Sequence, residues 1–190
     1  MTVKVLDNFI ADEYPQIHCE KCENTFLTNV YDFDENNVLL EKRSLGLEYY
    51  CGAIHQHELT KVPNIKRVGI LDEDDNPVEQ PSNEIIYSGE ETDHRFIYIM
   101  EKLKHLNEED SKYFDRCVKD LEWQNESDRK KIFAGIEKRY NSELAKDIMK
   151  LFEFYNQYEG VLAWDLHGDN LMIRPVNNEI VILDPYTRRA

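Results

Sequence analysis

The stretch Ala163-Trp164-Asp165-Leu166-His167-Gly168-Asp169-Asn170-Leu171-Met172-Ile173 is followed, after a short turn, by Ile180-Val181-Ile182-Leu183-Asp184-Pro185. It reads as a tight polar loop between apolar strands, then a second apolar strand that ends on an acid. If the two strands after the loop pair as a hairpin, Asp165, Asn170 and Asp184 converge. An acid, an amide oxygen and a second acid at one point form the donor set that a magnesium–nucleotide reaction needs.

Upstream, Phe26 to Phe33 is rich in β-formers, Asp34-Glu35-Asn36-Asn37 is turn chemistry, and Val38 to Lys42 resumes a strand. A short strand is also expected at Ile17–Cys19. Ser44 can cap a helix running to about Leu59, with Leu47, Tyr50, Cys51 and Ile54 at helical spacing. Arg67–Leu71 and Phe96–Met100 read as a strand pair. The acidic stretch from Asp72 to Asp93 reads as a solvated loop with a short strand at Glu84–Tyr87. Beyond Met100 the pattern is helical. Phe114, Cys117, Val118 and Leu121 form one stripe, and Ile132, Phe133 and Ile136 a second. Leu144, Ile148, Leu151, Tyr155 and Tyr158 form a third, stopped by Gly160. The expected fold class is α+β: a β-rich part with one helix over residues 1–103, a hinge near Met100–Leu106, and a mostly helical part over 104–190 that holds the polar loop.

The loop Asp165-Leu166-His167-Gly168-Asp169-Asn170 resembles the catalytic loop of the protein-kinase-like superfamily, D-L-K-P-E-N in protein kinases and D-L-H-x-G-N in the aminoglycoside and choline kinase branch. His167 makes the second branch the closer match. Leu183-Asp184-Pro185 stands where that superfamily carries its metal-binding acid, 19 residues after Asp165. The resemblance covers residues 17–185 and is most specific over 163–185. It implies a two-lobed fold, ATP and magnesium as cofactors, and transfer of the γ-phosphate to a hydroxyl. By resemblance, Asp165 orients the substrate hydroxyl, and Asn170 and Asp184 hold magnesium at the phosphates. Lys42 resembles the strand lysine that holds the α- and β-phosphates. Its helix glutamate is expected to be Glu58, which shares the face of Cys51 and Ile54, with Glu48 as the alternative. Tyr98 to Leu103 resembles the hinge: Met100 is the expected gatekeeper, and the backbone of Glu101 and Leu103 the expected adenine contacts.

Two departures bear on function. The position of the glycine-rich loop, Glu20 to Thr25, contains no glycine, so Lys21 or hydroxyl side chains would have to approach the phosphates instead. Only six residues follow Asp184, so an activation segment and later helices have no counterpart in this sequence. The resemblance is therefore to a minimal kinase of the bacterial-effector or phage type. Missing docking helices point to a protein Ser/Thr substrate, whereas the loop match points to a small molecule of the aminoglycoside or choline type. A pseudokinase, or an acidic decoy that sequesters a partner, is the alternative from a different class. A metallophosphatase-like ligand set and a purely structural polar turn are weaker alternatives.

Composition narrows the partners. The 190 residues carry a formal charge of −15, with residues 1–103 at a net −12 and residues 104–190 at a net −3. Direct binding to a nucleic acid backbone needs a cationic surface and is not expected, whereas a basic protein, which could be host-derived, suits this charge. No apolar run reaches the roughly 18–20 residues of a membrane span, and the first nine residues lack a signal pattern. The expected location is the cytoplasm of the producing cell or of a host. Cys19-x-x-Cys22 beside His18 could begin a zinc site, but no second pair completes it, so these two, Cys51 and Cys117 are expected as free thiols.

Overall fold

The computed structural model describes residues 28–42, 45–74, 76–78 and 94–189. The expected strands at Ile17–Cys19 and Glu84–Tyr87, the glycine-free loop, the Ser44 cap and the Cys19–Cys22 pair lie outside them. The chain is a mixed α+β protein with antiparallel sheets. Its described residues fall in two compact units. One holds the residues up to Leu45 with Asn64–Lys102; the other holds Gly46–Pro63 and the residues from Leu103 on.

In the first unit, β1 (Thr28–Asp32), β2 (Asn37–Lys42), β3 (Ile65–Leu71) and β4 (Arg95–Glu101) form one antiparallel sheet in the order β1-β2-β4-β3. The β1–β2 hairpin turns on Asp34, whose Oδ1 accepts the backbone N–H groups of Asn36 and Asn37, each at 2.8 Å. The Asn37 and Asn36 hydrogen bonds hold the Asp34 carboxyl below its ordinary value. Alternation along β2 sends Leu39 to a buried cluster with Tyr31, Leu71 and Ile97. Glu41 follows on the same face and is also buried. Its carboxylate accepts from Tyr31 Oη at 2.8 Å, Arg95 Nη1 at 2.9 Å and Asn29 Nδ2 at 3.2 Å. Burial pushes the Glu41 carboxyl up, but these hydrogen bonds outweigh it and the net shift is downward.

In the second unit, α1 (Gly46–His57) buries Leu47, Tyr49, Tyr50 and Ala53. The helix was expected in the β-rich part; instead it packs with this unit, where Tyr49 meets Tyr158 and Tyr50 meets Tyr186 edge-on. Aromatic burial of this size decides where an amphipathic helix settles. After β5 (Lys104–His105) come α2 (Glu108–Phe114), α3 (Glu126–Arg139) and α4 (Ser142–Gln157). Each helix starts behind an asparagine, Asn107, Asn125 or Asn141, whose side chain accepts a backbone N–H of the first turn.

The expected stripe through Cys117 does not hold. A π-helical turn, Asp115–Lys119, follows α2 and changes the period, so Phe114 and Val118 are buried while Cys117 is exposed. The α4 stripe Leu144, Ile148, Leu151 and Tyr155 is buried as its 3.6-residue spacing predicts. The chain then forms β6 (Leu162–Trp164), β7 (Leu171–Arg174), β8 (Glu179–Ile182) and β9 (Tyr186–Arg188). The order is β5-β7-β8 in one small antiparallel sheet, and β6 pairs with β9 in another. No described helix is long and apolar enough to cross a membrane.

Candidate functional site

The polar loop connects β6 to β7, and its two ends are fixed by different forces. On the β6 side, Trp164 sits among Trp123, Phe152, Tyr155 and Tyr186, with ring centroids 4.8 to 6.0 Å away. On the other side, β7 and β8 form the predicted hairpin, with Leu171 opposite Ile182. Two backbone hydrogen bonds close the loop onto the end of β8. The Asp165 N–H donates to the Pro185 carbonyl at 2.9 Å, and the Leu183 N–H donates to the Asn170 carbonyl at 2.8 Å. Asp165, Asn170 and Asp184 are thereby gathered on neighbouring backbone segments of one unit.

Inside the loop, polar groups set the direction of side chains. Asn170 Nδ2 donates to the Asp165 carbonyl, which fixes the amide plane and leaves Oδ1 as its ligand atom. The Asp169 N–H donates to His167 Nδ1 at 3.3 Å. A neutral His167 then carries its proton on Nε2, which lies 3.6 Å from Asp165 Oδ2. Leu166 is buried and points the other way, pinning the loop to the core. The short 3-10 turn Gly168–Asn170 completes the loop.

Asp184 adopts φ 49°, in the left-handed region, and it precedes Pro185. A positive φ is disfavoured for a non-glycine residue, and the following proline favours extended angles instead. The neighbours on each side hold it there. The Ile182 N–H donates to the Lys61 carbonyl at 2.8 Å, and the Ile182 carbonyl accepts from the Tyr50 hydroxyl. Burial raises the Tyr50 phenol well above its ordinary value, so it remains a donor. Two residues beyond Asp184, Tyr186 is buried and donates to the Leu151 carbonyl at 2.7 Å.

The oxygen donors of Asn170 and Asp184 suit magnesium, which binds one or two protein ligands and completes its shell with water and phosphate. Among the described residues there is no group of three or more His, Cys, Asp or Glu able to cage a metal by itself.

Other expected site residues lie as follows. Lys42 ends β2 and is half-buried. Met100 is buried in β4 opposite Val38 and Ile65. Glu101 ends β4; its N–H donates to the Asn64 carbonyl at 3.0 Å, so this N–H of the expected adenine contact is already engaged. Leu103 follows in the second unit and is half-buried.

Glu58 is a correction. Helix α1 ends at His57, and Glu58 takes φ 49° with its side chain exposed. The Leu59 N–H donates to the Ile54 carbonyl at 3.3 Å, the six-to-one bond of a Schellman cap, with Glu58 in the position glycine usually fills. Its side chain therefore leaves the face of Cys51 and Ile54. Glu48, in the first turn of α1, is 6% exposed and is the buried glutamate of the pair.

Two residues absent from the sequence reading hold the loop from below. Asp115 Oδ1 accepts the Gly168 N–H at 2.8 Å, and Ser111 packs against the Gly168 Cα. Their separation from the loop by more than fifty residues follows no period or motif. No protein-family model matches this chain, and no curated protein matches it significantly.

Proposed function

We propose that the chain is an ATP- and magnesium-dependent phosphotransferase with a two-lobed, protein-kinase-like fold that passes the γ-phosphate to a hydroxyl of a protein substrate. The observation that carries this reading is the pair of backbone hydrogen bonds, Asp165 to Pro185 and Leu183 to Asn170, which gathers Asp165, Asn170 and Asp184. Phosphoryl transfer is mostly positioning plus neutralisation of oxygen charge, and an acid with two oxygen ligands beside it supplies both. Asp165 accepts the hydrogen bond of the attacking hydroxyl. Asn170 Oδ1 and the Asp184 carboxylate hold magnesium, which when bound neutralises charge on the phosphate oxygens. Lys42 is assigned to the phosphates, and Met100, the Glu101 carbonyl and Leu103 to the adenine. Glu48 stays in the candidate set as the helix carboxylate, and Glu58 leaves it. The charge of −15 favours a basic protein as substrate.

The test is transfer of label from γ-labelled ATP with magnesium to basic proteins and, separately, to aminoglycosides and choline. Asp165→Asn and Asp184→Asn serve as paired controls. Transfer by wild type, lost in both variants and on chelation of magnesium, supports the reading. Wild type that neither binds nucleotide nor transfers label, yet retains a protein partner tightly, would instead establish the sequestering role.

A further inference from the structure

The Gly168 peptide is held by a helix rather than by its own loop. The Asp115 carboxylate accepts the Gly168 N–H at 2.8 Å, and a charged acceptor makes this one of the stronger classes of hydrogen bond. Asp115 is itself rigidly placed. It opens the π-helical turn after α2, between Phe114 just before it and Val118 one turn on, both fully buried. Such turns occur often at functional sites because they re-aim a side chain within a packed helix.

Gly168 comes so close to this helix that a Cβ there would lie 2.8 Å from the Ser111 carbonyl oxygen and 2.9 Å from the Ser111 Cα. Close approach and hydrogen bond together fix the peptide in position and in rotation. The next N–H along the chain, that of Asp169, is the one that donates to His167 Nδ1. That bond leaves Nε2 as the protonated nitrogen of a neutral His167, 3.6 Å from Asp165 Oδ2. An anchor on Gly168 is therefore an anchor on the orientation of His167 and, through it, of Asp165.

We infer that Asp115 is a positioning residue for phosphoryl transfer, acting through the Gly168 peptide to hold the Asp165–Asn170 loop in its reactive geometry. This rests on the phosphotransferase reading. It assigns to Asp115 no contact with substrate, nucleotide or metal.

The experiment compares Asp115→Ala and Asp115→Asn with wild type in the full chain. Asparagine keeps an oxygen acceptor for the Gly168 N–H; alanine removes it. Two readouts are taken: steady-state label transfer, separated into kcat and the KM for ATP, and hydrogen exchange of the Gly168 amide against the Ile148 and Leu151 amides of α4. In Asp115→Ala, kcat should fall by about 10- to 100-fold, as a displacement on the order of 1 Å costs. The KM for ATP should stay within about twofold, because ground-state binding is untouched. The Gly168 amide should exchange at least about tenfold faster while the α4 amides keep their protection. Asp115→Asn should recover most of both effects.

Unchanged kcat and Gly168 exchange in Asp115→Ala overturn the proposal. So does a uniform loss of protection in α4 that Asp115→Asn fails to rescue, since Asp115 would then support the unit as a whole. A wild type that transfers no phosphate overturns the phosphotransferase reading, and the Gly168 exchange then judges the anchor separately.

Discussion

Replacing Gly168 by alanine is a sharp probe of the loop, because its cost can be worked from distances. The added Cβ would sit 2.5 Å from Ser111 Oγ, 2.8 Å from Ser111 O and 2.9 Å from Ser111 Cα. The hydroxyl can rotate away, but the other two atoms belong to the backbone of α2. Carbon contacts are comfortable only at about 3.5–4.0 Å, so the loop must move by roughly 0.5–1 Å. Gly168 does not occupy the left-handed region, so backbone strain adds nothing and the penalty is steric. Overpacking of this kind costs about 1–3 kcal/mol. The same displacement weakens or breaks the 2.8 Å bond to Asp115 and shifts Asp165. The expected outcome is an unfolding free energy lowered by that amount, read as a lower urea midpoint at unchanged slope, with label transfer reduced by about 10- to 100-fold. Gly135→Ala is the matched control. Its Cβ meets only the tip of the Tyr113 side chain at 2.6 Å, and alanine is the better helix former within α3, so both readouts should stay near wild type. Wild-type stability and transfer in Gly168→Ala would refute the close approach and the coupling drawn from it.

Tyr50→Phe removes one hydroxyl and strands the buried Ile182 carbonyl, so stability should fall by about 1–3 kcal/mol in urea unfolding; a change below about 0.5 kcal/mol would show that this bond contributes nothing. Glu41 makes stability depend on acid. Its carboxyl is lowered in the fold, so its contribution is full above the ordinary glutamate value of about 4.3 and is lost as pH falls through the folded value. Glu41→Gln should therefore flatten the acid limb of a stability–pH curve, and parallel curves would count against the assignment. At neutral pH, Glu41→Ala, which withdraws the carboxylate from half-buried Arg95, should cost about 1–3 kcal/mol by denaturant titration, above the glutamine variant.

Where the sequence could be read, local physics was in charge. The β-former runs Val38–Lys42 and Phe96–Met100 are strands as read, although they also pair with each other, and the spacing of Leu144, Ile148, Leu151 and Tyr155 marks the buried face of α4. The loop and the hairpin after it were legible for the same reason: apolar runs flank a polar turn. Three things were not. The π-helical turn at Asp115 obeys no helical period, so the stripe through Cys117 looked continuous until the backbone widened. Helix α1 stops at His57 with no glycine after it to announce the end, since a Schellman cap can take a non-glycine residue such as Glu58 at a conformational cost. The bond between Asp115 and Gly168 joins residues whose proximity depends on the packing of a whole unit, which no short window of sequence contains.

Three non-glycine residues in the described structure have positive φ: Glu58, Asn178 and Asp184. The first caps a helix, and the second lies in the turn of the β7–β8 hairpin, where asparagine tolerates such angles. Asp184 has neither excuse. It links β8 to β9 and stands before a proline, a setting that costs on the order of 1–3 kcal/mol and persists only where the surroundings enforce it. Here they do so from both sides, through Tyr50 and Lys61 on Ile182 and through the buried Tyr186. Those partners are buried core and backbone, so the local strain is maintained at the expense of a large, stable part of the unit. A strand connection serving only to reverse the chain could relax by placing glycine or asparagine at this point. An aspartate held in this conformation beside the Asp165–Asn170 loop is consistent with the metal-binding role proposed for its carboxylate.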